Sequence, residues 1–315
     1  MQFNRILVLG GAGFVGCEIV ERLAARGLRV RVPTRIRERA KRSLIVLPTV
    51  DVVDGDIHDP VQLDALAAGC DAVINLVGVL HNGRGNNTFA AAHVELTRKV
   101  IAVCQRRGIR RLLHMSALGV STDAPSQYLR TKAEAEALVA GSGLDWTVFR
   151  PSVIFGPGKC FATLFAQMLK FAPVVPLACP DARFQPVWVG DVARAFDESL
   201  GNLASFGQRY ELGGPKVYTL RELVAFIGRA TGHRRPIIGL GATLSGLQAA
   251  VMELSPVKIL TRDNVRSMQV PSVCSEPWPF AWAPAAFEGE ASAFLSEHTP
   301  RARYRGYRSH AGRET

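Results

Sequence analysis

The stretch Arg5–Gly16, reading RILVLGGAGFVG, constrains the fold more than any other part of this chain. Ile6 to Leu9 form an unbroken apolar run, as a strand buried on both faces requires. Gly10, Gly13 and Gly16 follow at three-residue spacing. A helical pattern comes next, with Val15, Ile19, Val20, Leu23 and Ala24 on one face and Gly27 as its stop. Strand, glycine turn and helix in this order form a dinucleotide-binding fingerprint. Residues without side chains let the backbone touch a pyrophosphate, and the helix N-terminus offers its unpaired N–H groups to the negative charge. Gly10, Gly13 and Gly16 are therefore candidate cofactor contacts, together with Phe14 and Val15 at the head of the helix.

The same alternation continues. Strands are expected at 28–33, 50–53, 72–77, 111–115 and 147–149, with helices at 60–68, 88–107 and 126–140. This order implies parallel strands joined by crossover helices, hence an α/β fold with a doubly wound, mostly parallel sheet and a smaller C-terminal α/β lobe. The expected division is a nucleotide-binding domain over 1–155, with 186–200 packing back on it, and a smaller substrate or partner lobe over 156–270. Residues 271–315 read as an irregular Pro- and Trp-rich connector and a basic tail. Six cysteines lack metal-ligand or C-x-x-C spacing and read as reduced thiols of a cytoplasmic protein. The first strand starts within a few residues of Met1, which argues against a signal peptide, and no apolar run has the length of about twenty that a membrane span needs. The net charge of +11 points to acidic ligands or surfaces. Nucleic acid is not among the expected partners, because aromatic residues are not interleaved with the basic ones.

The end of the second strand bears on which nucleotide is bound. An acidic residue there would hold ribose hydroxyls, but the chain reads Pro33-Thr34-Arg35, followed by Arg37, Arg39, Lys41 and Arg42. Guanidinium groups suit a 2′-phosphate, so NADP(H) is preferred, with Arg35 its chief contact and NAD(H) the alternative. Asp56 and Ile57 follow the third strand, where an Asp side chain meets the adenine amino group. Leu76, Val77 and Gly78 follow the fourth, where a small residue lets the backbone pass the adenosine ribose.

Tyr128 and Lys132 stand four apart at the start of a helix and so share a face. The ammonium is expected to favour the tyrosinate and lower the phenol pKa, making Tyr128 a proton donor or acceptor. Lys132 is also placed to hold the nicotinamide ribose. Ser116 ends the fifth strand and is placed to hydrogen-bond a substrate carbonyl.

With these residues the chain resembles the short-chain dehydrogenase/reductase superfamily, in its extended and atypical branches. The resemblance rests on Gly10-Gly11-Ala12-Gly13-Phe14-Val15-Gly16, Ser116, Tyr128 with Lys132, and Arg150-Pro151-Ser152-Val153-Ile154-Phe155-Gly156-Pro157. It implies a Rossmann fold over roughly residues 3–230 and places Pro151 and Val153 against the nicotinamide. A narrower resemblance extends to about residue 268. Tyr128-Leu129-Arg130, Gln185-Pro186-Val187 before Asp191, Glu253-Leu254-Ser255-Pro256 and Leu260-Thr261-Arg262-Asp263 look like the nucleotide-binding accessory subunit family of respiratory complex I. That resemblance implies a held NADPH and a link to quinone metabolism or a respiratory assembly. One departure stands out: His93 replaces the Asn that extended members often carry in the helix after the fourth strand, which puts an Asn-based proton relay in doubt and leaves two readings of His93, a substitute in that relay or an ordinary helix-face residue.

Three readings follow. The first is an NADP(H)-dependent oxidoreductase acting on a quinone or carbonyl compound, with Ser116, Tyr128 and Lys132 as its catalytic residues. The second is a non-catalytic, NADPH-holding accessory module of a respiratory complex, peripheral to the inner membrane. The third is a nucleotide-sugar epimerase or dehydratase. For the second, Leu240, Leu244, Leu247, Val251 and Leu254 form an apolar stripe at helical spacing. Such a stripe is expected to face its own core, with an anionic membrane or a partner as the alternative.

Overall fold

The structure, a computed structural model, describes residues 3–35, 44, 47–254 and 259–295. It divides into two compact units. The first contains residues 1–151, 189–212 and 275–281.

The first unit is built on a parallel sheet. Its elements run β1 (Arg5–Leu9), α1 (Phe14–Ala25), β2 (Arg29–Thr34), β3 (Val50–Asp54), α2 (Pro60–Ala67), β4 (Ala72–Asn75), α3 (Leu96–Arg107), β5 (Arg111–Met115), α4 (Gln127–Ala140), β6 (Asp145–Pro151), α5 (Val189–Leu200) and β7 (Gln208–Leu212). The sheet has 7 strands in the order β7-β6-β5-β4-β1-β2-β3, every pair parallel. The chain winds one way from β1 to β3 and the other way from β4 to β7. The turns after β1 and β4 therefore face each other at the point where strand order reverses, which is where a doubly wound sheet opens a crevice.

Period-two alternation explains the layers. Leu7 and Leu9 of β1 join Leu112, Val148 and the inward faces of α2, α3 and α4 in one apolar cluster. On the opposite face α1 packs on α5. Local chemistry sets the helix ends. Asp59 Oδ1 accepts from Val61 N–H at 2.8 Å ahead of α2, and Ser126 Oγ accepts from Leu129 N–H at 3.2 Å ahead of α4. Gly108, with φ +68°, closes α3 in the left-handed conformation.

Arg111 is a buried cation in the middle of this unit, 1% exposed. Its guanidinium donates to the carbonyls of Leu200 (3.0 Å), Asp145 (2.6 Å) and Ser199 (2.6 Å) and to the hydroxyls of Thr147 (2.8 Å) and Ser205 (2.9 Å). One side chain thus ties β5 to β6 and to the end of α5. Burial pulls its pKa down to about 10, still far above neutrality.

The second unit contains residues 152–188, 213–274 and 282–315. Three small sheets organise its described part: Ile154–Phe155 with Val187–Trp188, Arg183–Phe184 with Tyr218–Thr219, and Val175–Ala178 with Ile237–Leu240. Helices Phe161–Phe171, Leu220–Ala230 and Phe287–Leu295 close its core around Phe155, Leu169, Leu223, Ile227 and Phe287.

Two sequence expectations need correction here. The segment read as connector and tail contains the helix Phe287–Leu295, whose Phe287 ring meets those of Phe155, Tyr218 and Phe226. The apolar stripe of helix Ala242–Met252 does not face the core: Leu244, Leu247 and Val251 are 54%, 61% and 61% exposed. The small residues Ser245 and Ala249 face inward instead, because close packing on the strand Val175–Ala178 leaves no room for leucines.

Arg111→Met is expected to remove one donor from each of five buried acceptors and to destabilise the chain by about 3 kcal/mol. A fall in the urea midpoint measures it; an unchanged midpoint would refute the role given to Arg111.

Candidate active site

Parallel strands place their C-terminal ends along one edge, and the predicted residues of the first unit gather there. Gly10 follows β1, Leu76 follows β4, Ser116 follows β5 and Pro151 ends β6. Gly10 adopts φ +80°, and its carbonyl accepts from Gly13 N–H at 2.9 Å. A Cβ on Gly16 would overlap Gly10 O and stand 2.7 Å from Gly11 Cα, so α1 begins pressed against the turn. A Cβ on Gly10 would stand 3.3 Å from the Leu76 carbonyl carbon. Gly13 heads α1 without a side-chain cap or an acid in the first turn, and Phe14 and Val15 form that turn half-buried. The first N–H groups of α1 are thus presented to an anion, in a cradle that side chains would fill. This donor set fits a dinucleotide pyrophosphate.

β2 itself ends in Thr34 rather than in a carboxylate, and Arg35 follows it exposed. Arg37, Arg39, Lys41 and Arg42 lie outside the described residues. Asp56 Oδ1 accepts from His58 N–H at 2.9 Å, and the half-buried Ile57 packs on the apolar cluster. Leu76 N–H donates to Leu9 O at 3.0 Å, and Val77 N–H to Asn75 Oδ1 at 3.2 Å. These bonds fix the turn after β4. Pro151 O accepts from Leu118 N–H at 3.1 Å. Val153 belongs to the second unit, where its carbonyl accepts from Val187 N–H at 3.1 Å.

Lys132 is buried at 3% exposure. Its Nζ donates to Met115 O at 2.9 Å and to Val77 O at 3.5 Å, and a Cβ on Gly78 would stand 3.1 Å from it. The ammonium therefore bridges the ends of β4 and β5. Burial pulls its pKa down to about 8. Tyr128 lies one helical turn away, and burial pushes its phenol up to about 12. This reverses the expected direction: desolvation of the phenol outweighs attraction from an ammonium turned to the Met115 and Val77 carbonyls. Ser116 is held by its N–H on Phe149 O at 2.7 Å. Its buried Oγ makes no well-aligned hydrogen bond, although it lies near enough to Glu136 to help hold that carboxyl low.

Sequence reasoning missed the polar residues behind this front. The Glu136 carboxylate takes Arg150 Nε at 3.0 Å and Arg209 Nε at 2.7 Å, and the three residues line a cavity of about 400 Å³. Burial opposes ionisation of Glu136, but the Arg150 guanidinium and its hydrogen bonds prevail and hold the carboxyl below its usual value. Glu136 stands one turn beyond Lys132, a spacing that marked it as a neighbour. His114 is fully buried, with Nδ1 3.3 Å from Asn75 Nδ2 and Nε2 unpartnered, and burial pulls its pKa down to about 3. Nothing in the local pattern around His114 distinguishes it from an ordinary strand residue.

His93 is 1% exposed. Its Nε2 accepts from Val79 N–H at 3.2 Å, and its Nδ1 lies 2.9 Å from Thr131 Oγ1. Its ring is stacked on Phe89 with centroids 5.5 Å apart and meets Tyr128 edge-on at 5.5 Å. Burial, then the Lys132 charge, pull its pKa down to about 2. A ring held neutral in this way does not take up a second proton near neutrality.

Residues 10–157 match the family model described as NAD(P)H-binding. The chain is 35% identical over 222 residues to the NADH dehydrogenase [ubiquinone] 1 alpha subcomplex subunit 9, mitochondrial, of Arabidopsis thaliana, a match covering 69% of this chain and 55% of that protein. It is 24% identical over 246 residues to the NAD(P)H azoreductase of Xenophilus azovorans, covering 78% and 80%. The chain thus spans little more than half the length of the Arabidopsis relative. In structure it is similar to a nucleoside-diphosphate-sugar epimerase from Staphylococcus aureus, with a TM-score of 0.73, 18% identity and coverage of 93% and 100%.

Gly16→Ala is expected to weaken nicotinamide-nucleotide binding more than about tenfold in a fluorescence titration. Gly246→Ala, whose Cβ would meet open space, is the control that leaves binding unchanged. Lys132 also links stability to pH. Its folded pKa of about 8 lies below the ordinary lysine value of 10.5, so between these values the unfolded chain holds a proton that the folded chain lacks. Stability of the nucleotide-free protein relative to Lys132→Met is therefore expected to rise from pH 8 to pH 10, toward about 3 kcal/mol in full. A flat or falling difference would contradict the burial assigned to Lys132. The chain thus carries an NAD(P)H-binding domain over residues 10–157, with sequence similarity to a subunit of NADH dehydrogenase and to an NAD(P)H azoreductase.

Proposed function

We propose that this chain is an NADP(H)-dependent oxidoreductase that reduces a quinone or carbonyl compound. The observation that carries this reading is the placement of Tyr128, Lys132 and Ser116 on elements that end at the strand edge bearing the glycine cradle. The nicotinamide, when bound, supplies the hydride. Tyr128, protonated at neutral pH, then gives its proton to the substrate oxygen. The buried Ser116 hydroxyl orients the substrate carbonyl. Lys132 braces the turn at Val77 and holds the nicotinamide ribose. Asp56 and Ile57 flank the adenine, Leu76 to Gly78 pass the ribose, and Pro151 faces the nicotinamide. Arg35 takes the 2′-phosphate, a preference supported by Thr34 in place of an acid at the end of β2. The relative named an NAD(P)H azoreductase supports reductive chemistry.

The exposed stripe Leu244, Leu247, Val251 and Leu254 favours a second reading. In it the chain holds NADPH as a structural part and docks on a respiratory assembly at the inner membrane. The relatives named as subunits of NADH dehydrogenase support this reading, and no helix among the described residues is long and apolar enough to cross a membrane. An epimerase or dehydratase role rests on fold alone and ranks last.

The test begins with protein as isolated, unfolded to release its nucleotide for identification by mass and absorbance. Reversible NADP(H) binding, with Tyr128→Phe lowering turnover of quinones or carbonyl compounds about a hundredfold at unchanged nucleotide affinity, is the expected result. Stoichiometric NADPH that survives dialysis, with no turnover in the same screen, would replace the enzyme by the accessory module. NAD in place of NADP would remove the role given to Arg35.

A further inference from the structure

We propose that His93 is a positioning residue: an uncharged imidazole, with its proton on Nδ1, that ties the turn after β4 to the helix carrying Tyr128 and Lys132. The inference deepens the nucleotide-site reading above and rests on it for the role of that turn.

The hydrogen bonds decide the tautomer. Val79 N–H can only donate, so Nε2, 3.2 Å away, accepts and carries no proton. Thr131 Oγ1 has one hydrogen, and the carbonyls of Gln127 at 2.9 Å and Tyr128 at 3.1 Å are there to take it. Thr131 Oγ1 therefore accepts from His93 Nδ1–H at 2.9 Å. A single ring thus holds the backbone of the turn with one nitrogen and α4 with the other. A second proton on the ring would set an N–H against the Val79 N–H.

The groups that face His93 agree. Lys132 and His114 are the titratable groups whose charge acts on it, and both disfavour a second positive charge. Tyr128 meets the ring edge-on and Phe89 covers its face. A Cβ on Gly78 would stand 3.1 Å from Lys132 Nζ and 3.7 Å from His93 Nε2, so the turn is pressed on both side chains at once. His93 sits in a π-helical turn, Ala90–Glu95, that leads directly into α3. Such turns carry an extra residue per turn and occur often at functional sites. The consequence is that the position of Val77–Val79 under a bound nucleotide depends on the Nε2 bond, while the pose of α4 depends on the Nδ1–H bond.

The two bonds can be cut separately. In Gln, the amide oxygen reaches the position of the imidazole Nε2; in Asn, the amide reaches only that of Nδ1. The full chain carrying His93→Gln or His93→Asn is titrated with NADPH by fluorescence, with circular dichroism as the check on folding. His93→Gln is expected to stay within about threefold of the wild-type affinity and His93→Asn to lose about tenfold. The opposite ranking, or two variants that both bind like the wild type, would overturn the tie to the turn. Histidine ¹⁵N NMR of the wild-type chain without nucleotide reads the ring itself. The neutral Nδ1–H signature, unchanged from pH 5.5 to pH 8, is expected. A ring that titrates in that range, or carries its proton on Nε2, would overturn the proposal even where both variants fail to fold. If the wild type binds no nicotinamide nucleotide, the proposed function fails, and the NMR result still decides the state of His93.

Discussion

The close approach of α1 to the turn after β1 is the constraint on which the first unit depends. Gly16 has no room for a Cβ against Gly10 O and Gly11 Cα. Because β1 is the strand from which the sheet is wound in both directions, moving α1 outward would disturb the first crossover and the crevice between the turns after β1 and β4. The same absence of side chains that allows the packing also exposes the N–H groups of the first helical turn. Structural need and anion binding are met by one set of glycines.

Behind that turn the unit is held by a few buried polar groups whose partners are all supplied by the fold. Arg111 collects three carbonyls and two hydroxyls, and Glu136 takes two guanidinium groups. Lys132 spans the ends of β4 and β5. Each would be costly if left alone in a low-dielectric interior, and each is specific in direction when paired. Ser116 Oγ and His114 Nε2 are among the atoms that depart from this rule, buried without well-aligned partners. Ser116 lies at the strand edge where a substrate would meet Tyr128.

The sheet was legible in the sequence because its signals are local and repeated. Short strands rich in apolar residues recur from β1 to β6, with helical patterns after β1, β3, β4 and β5, and the strand Arg111–Met115 falls where the pattern puts it. The second unit gives weaker signals. Several of its strands have two residues, too short for any period to show, and the helix Phe287–Leu295 lies in a stretch whose prolines and tryptophans suggest irregular chain. The helix Ala242–Met252 carries a stripe whose spacing is plain but whose direction is not. Periodicity says that leucines share a face, and only the neighbouring strand decides that Ser245 and Ala249 take the inner one.

For the site, the sequence by itself determined the residue types and the elements that carry them. The glycine spacing, the four-residue step from Tyr128 to Lys132, Ser116 at a strand end and Thr34-Arg35 in place of an acid at the end of β2 are all properties of contiguous segments. Tertiary structure decided their electrostatic state. Whether an ammonium lowers a phenol pKa depends on where it points and how far both are buried, and here Lys132 turns to two carbonyls while burial raises Tyr128. Whether His93 relays a proton or ties two elements depends on Val79, fourteen residues before it, and Thr131, thirty-eight after it. Such contacts between distant residues, and the desolvation that accompanies them, come from packing, which no single segment encodes.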